Sequence, residues 1–155
     1  MNTFGNRIKL TVFGQSHAKA LGVTIDGLPA GVPIDYDYIE DIMRLRAPGN
    51  LDISTKRSEP DKVEFISGVV NGKTVGTSVC AVIQNTDTIS KDYSSLVGKP
   101  RPSHADYPAT VKYGENYDLR GSGQFSGRMT ASLCIAGAVA LPILEKNGIK
   151  IATHI

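Results

Sequence analysis

The Asn71-Gly72 pair is the feature of the sequence that most restricts how this chain of 155 residues can fold. Two apolar, strand-like runs, KVEFISGVV and TVGTSVCAVI, flank the pair. An Asn-Gly pair supplies the positive φ angles that a tight type I′ turn requires, and such a turn joins two antiparallel strands. The pair therefore predicts a β-hairpin, and with it antiparallel sheet, in the middle of the chain.

Further elements are predicted on both sides of this hairpin. IKLTVF alternates apolar and polar residues, which is typical of a half-buried strand, and LGVTID can return beside it after the loop GQSHAKA. A helix is predicted to begin after Asp35, which stands at an N-cap position, and to end before Pro48. ATVKYG indicates a short helical turn, and IKIATHI is expected to begin another strand.

The run RMTASLCIAGAVALPILEKNG is rich in alanine and predicts a buried helix of small side chains. A kink or break is expected near Pro142, because the proline ring removes one backbone donor. Strands come first, the alanine-rich helix comes later, and no regular βαβ alternation is visible. This order predicts a single α+β domain rather than a doubly wound sheet.

Composition excludes several classes of protein. The net charge of +2 is too small for nucleic-acid binding by bulk electrostatics. The longest apolar segment falls short of the ~20 residues that a bilayer span needs, and no signal peptide is visible. Cys80 and Cys134 lack metal or redox spacing, so they are predicted to be buried, reduced thiols. The sequence is typical of a soluble cytoplasmic protein with no membrane partner.

Two histidines stand in unusually polar stretches. His17 ends GQSH, directly after a predicted strand, and His104 lies in RPSHAD between Arg101 and Asp106. An imidazole titrates near neutral pH, so it can donate a proton to a leaving group or hold a positive charge beside an anion. Asp106 could orient the ring of His104 or could form a turn, and the spacing leaves both open. We predict that the two histidines serve one anionic site.

The glycine-rich segment RGSGQFSGR opens directly onto the alanine-rich helix. Glycine lets backbone amides approach a ligand closely, and the first amides of a helix have no partner inside it. With the guanidinium of Arg128, the segment predicts an anion site, although a turn that caps a helix is the commoner explanation of such a pattern. Arg44 and Arg46 end a predicted helix, where the helix dipole alone explains cations.

Other chemistries fit the residues less well. Neither Ser-His stretch lies in a GxSxG elbow, so a serine hydrolase is disfavoured. The three histidines have neither the mutual spacing nor the neighbouring cysteines of a zinc site, and we expect no metal. A phosphate-ester hydrolase that uses histidine acid–base chemistry remains as a weaker alternative.

Several stretches, taken in order, resemble the chorismate synthase family: FGQSHAKALGVTIDGLPAG, RLRAPG, EPDKVEFISGVVNGKTVGTSVCAVIQNTD, SKDYSS, RPSHADYPATVKYG and DLRGSGQFSGRMT. The resemblance implies a fold in which helices are sandwiched between antiparallel β-sheets, assembled as a homotetramer. Family members are roughly twice as long as this chain. Residues 1–155 would then be the N-terminal portion of a single domain whose C-terminal half is absent.

The resemblance also implies an activity. Members of the family are lyases of the shikimate pathway that convert 5-enolpyruvylshikimate 3-phosphate to chorismate and phosphate by a 1,4-anti elimination. They require reduced FMN without net redox change, and NADPH only where the protein reduces its own flavin. The partner would be a small phosphorylated substrate. The alternative is a truncated, non-catalytic module that binds anions or assembles with a partner while it retains the fold.

Specific residues match family positions. His17 and His104 match the catalytic pair, in which His17 would protonate the departing phosphate and His104 would manage protonation beside the flavin. The residues implied to bind substrate are Ser16, Arg46 and Arg128. The residues implied to contact the flavin are Gln124, Phe125 and Ser126.

The chain departs from the common family pattern at five positions. Ala18 and Ser103 stand where many members have glycine, and Asp52 stands where many have arginine. Gln124 and Met129 replace an arginine and a glutamate of one common version. If the backbone at position 103 needs a positive φ, serine is tolerated there less easily than glycine.

Overall fold

The computed structural model describes residues 2–47, 60–86, 93 and 98–154. The strands are β1 Thr3–Phe4, β2 Lys9–Gly14, β3 Ala20–Asp26, β4 Val63–Ser67, β5 Val69–Val70, β6 Lys73–Thr74 and β7 Val79–Gln84. The α-helices are α1 Tyr36–Arg46, α2 Asp106–Tyr113 and α3 Thr130–Lys146. Two 3₁₀ segments, Arg120–Phe125 and Gly127–Met129, lead into α3.

The predicted hairpin forms at Asn71-Gly72. Both residues have positive φ, 49° and 70°, as a type I′ turn requires. The turn joins β5 to β6, which are only two residues long. The two predicted runs are longer than the strands of this hairpin. Each run is divided into two strands, the first at Gly68 into β4 and β5, and the second into β6 and β7. Their outer parts, β4 and β7, pair with each other in a larger sheet.

The larger sheet has five antiparallel strands in the order β1-β2-β3-β7-β4. The register places Val12 opposite Val23 and Val23 opposite Ala81, so alternate residues of neighbouring strands share one face. That face is apolar and carries Leu21, Val23, Ile25, Val79, Ala81 and Ile83, all buried. The predicted alternation in IKLTVF and LGVTID is therefore confirmed as β2 and β3.

Helices α1 and α3 pack against each other over this apolar face. The carboxylate of Asp35 accepts a hydrogen bond from the backbone N–H of Tyr38 at 2.9 Å, which confirms the predicted N-cap of α1. Helix α1 ends at Arg46, and Ala47 is extended with ψ 140°, as the residue before a proline prefers. The α+β class is confirmed, and the described residues contain one large sheet and one hairpin.

Helix α3 is the buried, alanine-rich helix that the sequence predicts. Its buried side is formed by Ala131, Ser132, Ile135, Ala136, Ala138 and Val139. Of the kink or break expected near Pro142, the break is wrong, because the helix continues through that residue to Lys146. The proline removes the one hydrogen bond that its missing N–H would have donated, and the residues on both sides of it remain helical.

The helical span Gly127–Lys146 is 20 residues long, and by length and composition it could cross a bilayer. The sequence had indicated a shorter apolar segment. Core helices of soluble proteins meet the same criterion, and α3 packs against β3 and α1 in that manner.

Two other expectations need correction. Helix α2 begins at Asp106 and is longer than the turn predicted from ATVKYG. Residues 149–154 form no strand, and Ile149 and Ile151 are exposed. A strand needs a neighbour to receive its N–H and C=O groups, and no described strand lies beside this segment.

The two faces of α3 offer a test of this packing. Ile135 is fully buried, whereas Leu133 is 44% exposed on the same helix. We expect Ile135→Ala to lower the free energy of unfolding by about 2–5 kcal/mol, because it opens a cavity between α3 and the sheet. Leu133→Ala is the matched control and should cost under about 1 kcal/mol. Urea unfolding of the three proteins measures both values, and equal losses would contradict the described packing.

Candidate active site

His17 lies in the turn between β2 and β3, next to the buried Ser16. The Oγ of Ser16 and the Nδ1 of His17 are 3.2 Å apart, within hydrogen-bond distance. The backbone N–H of Ser16 donates to the carbonyl of Gly123 at 3.1 Å. The turn is therefore fixed against the glycine-rich segment that precedes α3.

The glycine-rich segment lies in direct contact with the imidazole of His17. Gly121, Ser122 and Gly123 have φ values of 56°, 65° and 53°, a left-handed run that glycine adopts at little cost. A Cβ added at Gly121 would lie 2.5 Å from the Nδ1 of His17 and 2.8 Å from the Oγ of Ser16. The glycine-rich pattern therefore has a local cause, because the backbone forms a wall of the site where a side chain would collide with His17.

His104 is exposed in the loop that precedes α2. Its Nδ1 lies 2.9 Å from the carbonyl oxygen of Pro102. Ser103 has φ 61°, so this position does need the positive φ that glycine adopts more easily. The serine holds the loop in a left-handed conformation despite its side chain.

Asp106 resolves one alternative that the sequence left open. Its carboxylate accepts two hydrogen bonds from the guanidinium of Arg101, at 2.7 and 2.9 Å, and one from the backbone N–H of Arg101 at 3.1 Å. These bonds close the loop 101–106. Asp106 is therefore the residue that forms the turn, and the recorded bond of the His104 ring goes to Pro102 instead.

Arg101 links the loops that carry the two histidines. One Nη of its guanidinium donates to the Oγ of Ser122 at 3.1 Å, next to the glycine that faces His17. Its Cζ lies 5.9 Å from the ring centroid of Tyr93, and that ring meets His17 edge-on at 5.0 Å. Arg101 was not predicted as a site residue from the sequence, although its place in the same six-residue motif as His104 was the signal available.

The two predicted substrate arginines meet at one carboxylate. The Nη1 of Arg46 donates to the Oδ2 of Asp61 at 2.7 Å, and the Nη1 of Arg128 pairs with the Oδ1 of the same residue. Arg128 and Asp61 are both buried. The Nη2 of Arg128 and the Nε of Arg46 are buried and have no hydrogen-bond partner among the described residues. Two cations therefore share one anion, and two donors are left over.

This cluster is joined to the His17 turn through Asn85. The Nε of Arg128 donates to the Oδ1 of Asn85 at 3.2 Å, and the amide of Asn85 donates to backbone carbonyls on both sides of His17. Arg46 lies at the end of α1, where the helix dipole alone would explain a cation, and it is also held by the ion pair with Asp61. The structure brings Ser16, His17 and Arg128 into one connected group.

The predicted flavin residues lie at the end of the glycine-rich segment. The ring of Phe125 is 45% exposed, and its centroid lies 6.4 Å from that of Tyr113. The Oγ of Ser126 accepts from the backbone N–H of Arg128 at 3.3 Å and so caps the following turn. Gln124, directly before Phe125, is partly buried. Asp52 lies outside the described residues, and Met129 packs against the core.

The arrangement has a definite chemical capacity. The imidazole of His17, the guanidinium of Arg101 and the buried Arg128 border the same glycine-rich segment, and Arg128 shares Asp61 with Arg46. His104 lies on the loop that Arg101 closes, where its ring bonds to the carbonyl of Pro102. Imidazoles can transfer protons near neutral pH, and guanidiniums bind carboxylate or phosphate through paired hydrogen bonds. The site is suited to an anionic ligand whose reaction needs a proton donor.

Comparisons with known proteins identify what the sequence resembles. A model of the family described as chorismate synthase matches residues 8–155. A chorismate synthase from Azobacteroides pseudotrichonymphae is 48% identical over 155 residues, covering 100% of this chain and 44% of that protein. One from Methanococcoides burtonii is 47% identical over 154 residues, covering 99% of this chain and 42% of that protein.

A solved structure agrees with these matches. The crystal structure of a chorismate synthase superimposes with a TM-score of 0.66 and 28% sequence identity, covering 92% of this chain and 36% of that one. The chain therefore spans less than half the length of the relatives that it matches. The resemblance read from the sequence motifs is confirmed.

The wall behind His17 gives the first test of the site. We expect Gly121→Ala to cost about 1–3 kcal/mol of stability, because the methyl group meets the imidazole and the left-handed backbone strains an L residue. The nuclear magnetic resonance signals of the His17 ring should also move. Gly127→Ala is the matched control, since an added Cβ there meets nothing within 4 Å. Unchanged His17 signals in Gly121→Ala would contradict the described contact.

The ion pair that closes the His104 loop predicts a pH dependence. The hydrogen bonds from Arg101 hold the pKa of Asp106 below its ordinary value of 3.8. A lowered pKa in the folded protein contributes stability that is present above that ordinary value and is lost as the pH falls towards the folded pKa. The urea midpoint of the natural chain should therefore fall as the pH drops from about 5 to 3.

In Asp106→Asn this acid-dependent part of the fall should disappear, and stability at pH 7 should drop by about 1.5–3 kcal/mol. Asp41→Asn serves as the control, because the Asp41–Arg44 pair is exposed, with side chains 58% and 76% accessible. That variant should stay within about 1 kcal/mol of the natural chain. An unchanged acid slope in Asp106→Asn would show that the pair does not contribute as described.

Proposed function

This chain belongs to the chorismate synthase family, and we propose that it forms the phosphate-side part of the active site of a lyase in the shikimate pathway. The reaction would convert 5-enolpyruvylshikimate 3-phosphate to chorismate and phosphate. The observation that carries the proposal is the convergence of the His17 turn, the glycine-rich wall and the Arg101–His104 loop.

His17 would donate a proton to the departing phosphate. The hydrogen bond with Ser16 and the contact with Gly121 fix the plane of its ring, so that the proton has a defined direction. A positioned imidazole contributes typically about 10²–10⁴-fold to such a proton transfer. Ser16, held by the carbonyl of Gly123, would bind substrate beside it.

Arg46 and Arg128 would hold the anionic groups of the substrate. Their shared carboxylate neutralises only one of the two charges, and each guanidinium retains a buried N–H without a partner among the described residues. A buried donor without a partner is unfavourable, and an anionic ligand would satisfy it. The ligand would therefore complete the charge balance of the cluster.

The residues next to this cluster fit an anionic flavin. Phe125 offers an exposed ring for a planar heterocycle, and Arg101 offers a cationic group that bonds to Ser122 of the segment. His104 offers a proton-bearing group on the same loop as Arg101. Reduced FMN, when bound, would supply an electron transiently while no net redox change occurs. Gln124, Phe125 and Ser126 would contact it, and His104 would hold a proton beside it. NADPH would be needed only if the complete protein reduces its own flavin.

Membership of the family also supports a cytoplasmic homotetramer as the working form of a complete protein. The chain alone covers less than half of its relatives, so we expect it to bind FMN poorly and to show no turnover. The alternative is a non-catalytic module that binds anions or assembles with a partner, and the departures from the common family pattern at Asp52, Gln124 and Met129 favour it.

Completion of the chain separates these functions. We expect the chain, extended with the C-terminal portion of the Azobacteroides relative, to form chorismate from 5-enolpyruvylshikimate 3-phosphate with reduced FMN. In that protein His17→Ala should lower kcat by about 10²–10⁴-fold, because the proton donor is lost. His154→Ala is the matched control, since His154 is exposed in the segment after α3. Chorismate formation measured by its absorbance provides the readout.

Three results would count against the lyase. An extended protein that folds and binds flavin without turnover would remove the proposed activity. Equal turnover or ligand binding in the natural and His17→Ala proteins would favour the non-catalytic module. Release of phosphate without any flavin requirement would favour the phosphate-ester hydrolase.

A further inference from the structure

We propose that Asn85 is a positioning residue that fixes the turn carrying Ser16 and His17 relative to the guanidinium of Arg128. The importance of this relative position for catalysis rests on the proposed function, but the positioning of the turn by Asn85 does not. Asn85 follows directly after β7, whose last residue, Gln84, pairs with the first residue of β3. The pairing of β7 with β3 therefore places Asn85 beside the β2–β3 turn.

The side-chain amide of Asn85 uses both of its functional ends. Its Nδ2 donates to the carbonyl oxygen of Gln15 at 3.0 Å and to that of Ala18 at 2.8 Å. Its Oδ1 accepts from the Nε of Arg128 at 3.2 Å. In addition, the backbone N–H of Asn85 donates to the carbonyl of Lys19 at 3.0 Å. One residue thus contacts the turn at three carbonyls and the arginine at one nitrogen.

The chemistry of these contacts requires a primary amide. A carboxylate only accepts hydrogen bonds, a hydroxyl has a single proton, and lysine or arginine only donates. An amide donates twice and accepts in the same plane, and glutamine would place that plane one methylene farther out. The two carbonyls that Asn85 binds bracket Ser16 and His17, so the bonds fix the segment between them.

The same amide also orients Arg128. The carboxylate of Asp61 holds its Nη1, and Asn85 holds its Nε, so the two partners together fix the plane of the guanidinium. Without Asn85, the described contacts of this guanidinium reduce to the one with Asp61. The proton donor on the turn and the cation behind it would then be free to shift relative to each other.

Under the proposed function, His17 and Arg128 act on the same leaving anion. A positional error of about 1 Å in such a group can cost about 10²-fold in rate, because the reacting atoms no longer meet in line. Loss of Asn85 should therefore reduce kcat more than it raises KM, since the charges that bind substrate remain present.

The test uses two variants of this chain that separate the two ends of the amide. Asn85→Asp keeps the size of the side chain and an acceptor for Arg128 but removes both donors to the turn. Asn85→Ala removes all side-chain contacts. Asn147→Asp is the matched control, because it makes the same chemical change at an exposed amide that donates to Ile143 at 2.8 Å near the end of α3.

The readout is nuclear magnetic resonance of the chain without substrate or flavin. We expect the ring signals of His17 to move in both Asn85 variants, whereas those of the exposed His154 stay in place as an internal reference. The Nε signal of Arg128 should move strongly in Asn85→Ala and should remain hydrogen-bonded in Asn85→Asp. Asn147→Asp should leave the signals of His17 and Arg128 unchanged.

Several outcomes would overturn the proposal. Unmoved His17 signals in a folded Asn85→Asp protein would show that the amide does not position the turn. Equal movement in Asn147→Asp would show a general effect of charge. If Asn85→Ala does not fold, the isosteric Asn85→Asp decides.

Turnover of the extended protein is a separate measurement. There we expect Asn85→Asp to lower kcat by about 10–100-fold with a smaller change in KM. A fall in kcat no larger than that of Asn147→Asp would overturn the catalytic part of the inference. If the extended natural sequence has no turnover at all, the proposed function fails, while the resonance signals still decide whether Asn85 positions the turn.

Discussion

The carboxylate of Asp61, buried between two guanidiniums, is the interaction on which the geometry of the site depends. Arg46 comes from the last turn of α1, and Arg128 comes from the segment that leads into α3. Transfer of charges from water into a protein interior is costly unless each is paired and hydrogen-bonded. Without Asp61 the two cations would repel each other at the junction of the two helices. With it, the junction holds together and keeps one unit of positive charge in excess.

The antiparallel sheet determines which loops can reach this charge. Strands β2, β3 and β7 are neighbours. The turn after β2 and the residue after β7 therefore lie at the same end of these strands. The glycine-rich segment is held at the same end of the strands, because the carbonyl of Gly123 accepts a hydrogen bond from the backbone N–H of Ser16. The side chains that could take part in a reaction thus lie on loops, and the strands and α3 fix the positions of those loops relative to one another.

The elements that follow local rules could be predicted from the sequence. Asn71-Gly72 determines its own turn through positive φ, and Asp35 caps α1 through a bond to a residue three positions away. Both effects act over a few residues. Strand formation at 149–154 could not be judged in this way, because a strand depends on a neighbour that alternation alone does not reveal.

The polar contacts that build the site were mostly missed for a related reason. Asp61 and Arg128 are 67 positions apart, and Asn85 reaches Gln15 across 70. Periodicity and composition carry no information about such distances, so Asp61 and Asn85 gave no sign of their roles. The histidines and Arg128 were predicted from the chemistry of their polar and glycine-rich stretches and again from the family resemblance, whereas the residues beside them were assigned only when the fold brought them together.

The left-handed run at 121–123 also bears on how sites of this kind can diversify. At Gly121 and Gly123 the handedness of the backbone rejects ordinary side chains, and nearby atoms leave no volume for them. Amino-acid exchange is therefore disfavoured at these two glycines, whereas Ser122 between them and the positions outside the run carry side chains. Two of the departures from the common family version lie outside it, Gln124 directly after the run and Met129 directly before α3. Stereochemistry thus divides the segment into two positions that only glycine fits, Gly121 and Gly123, and neighbouring positions that can carry side chains with new ligand preferences.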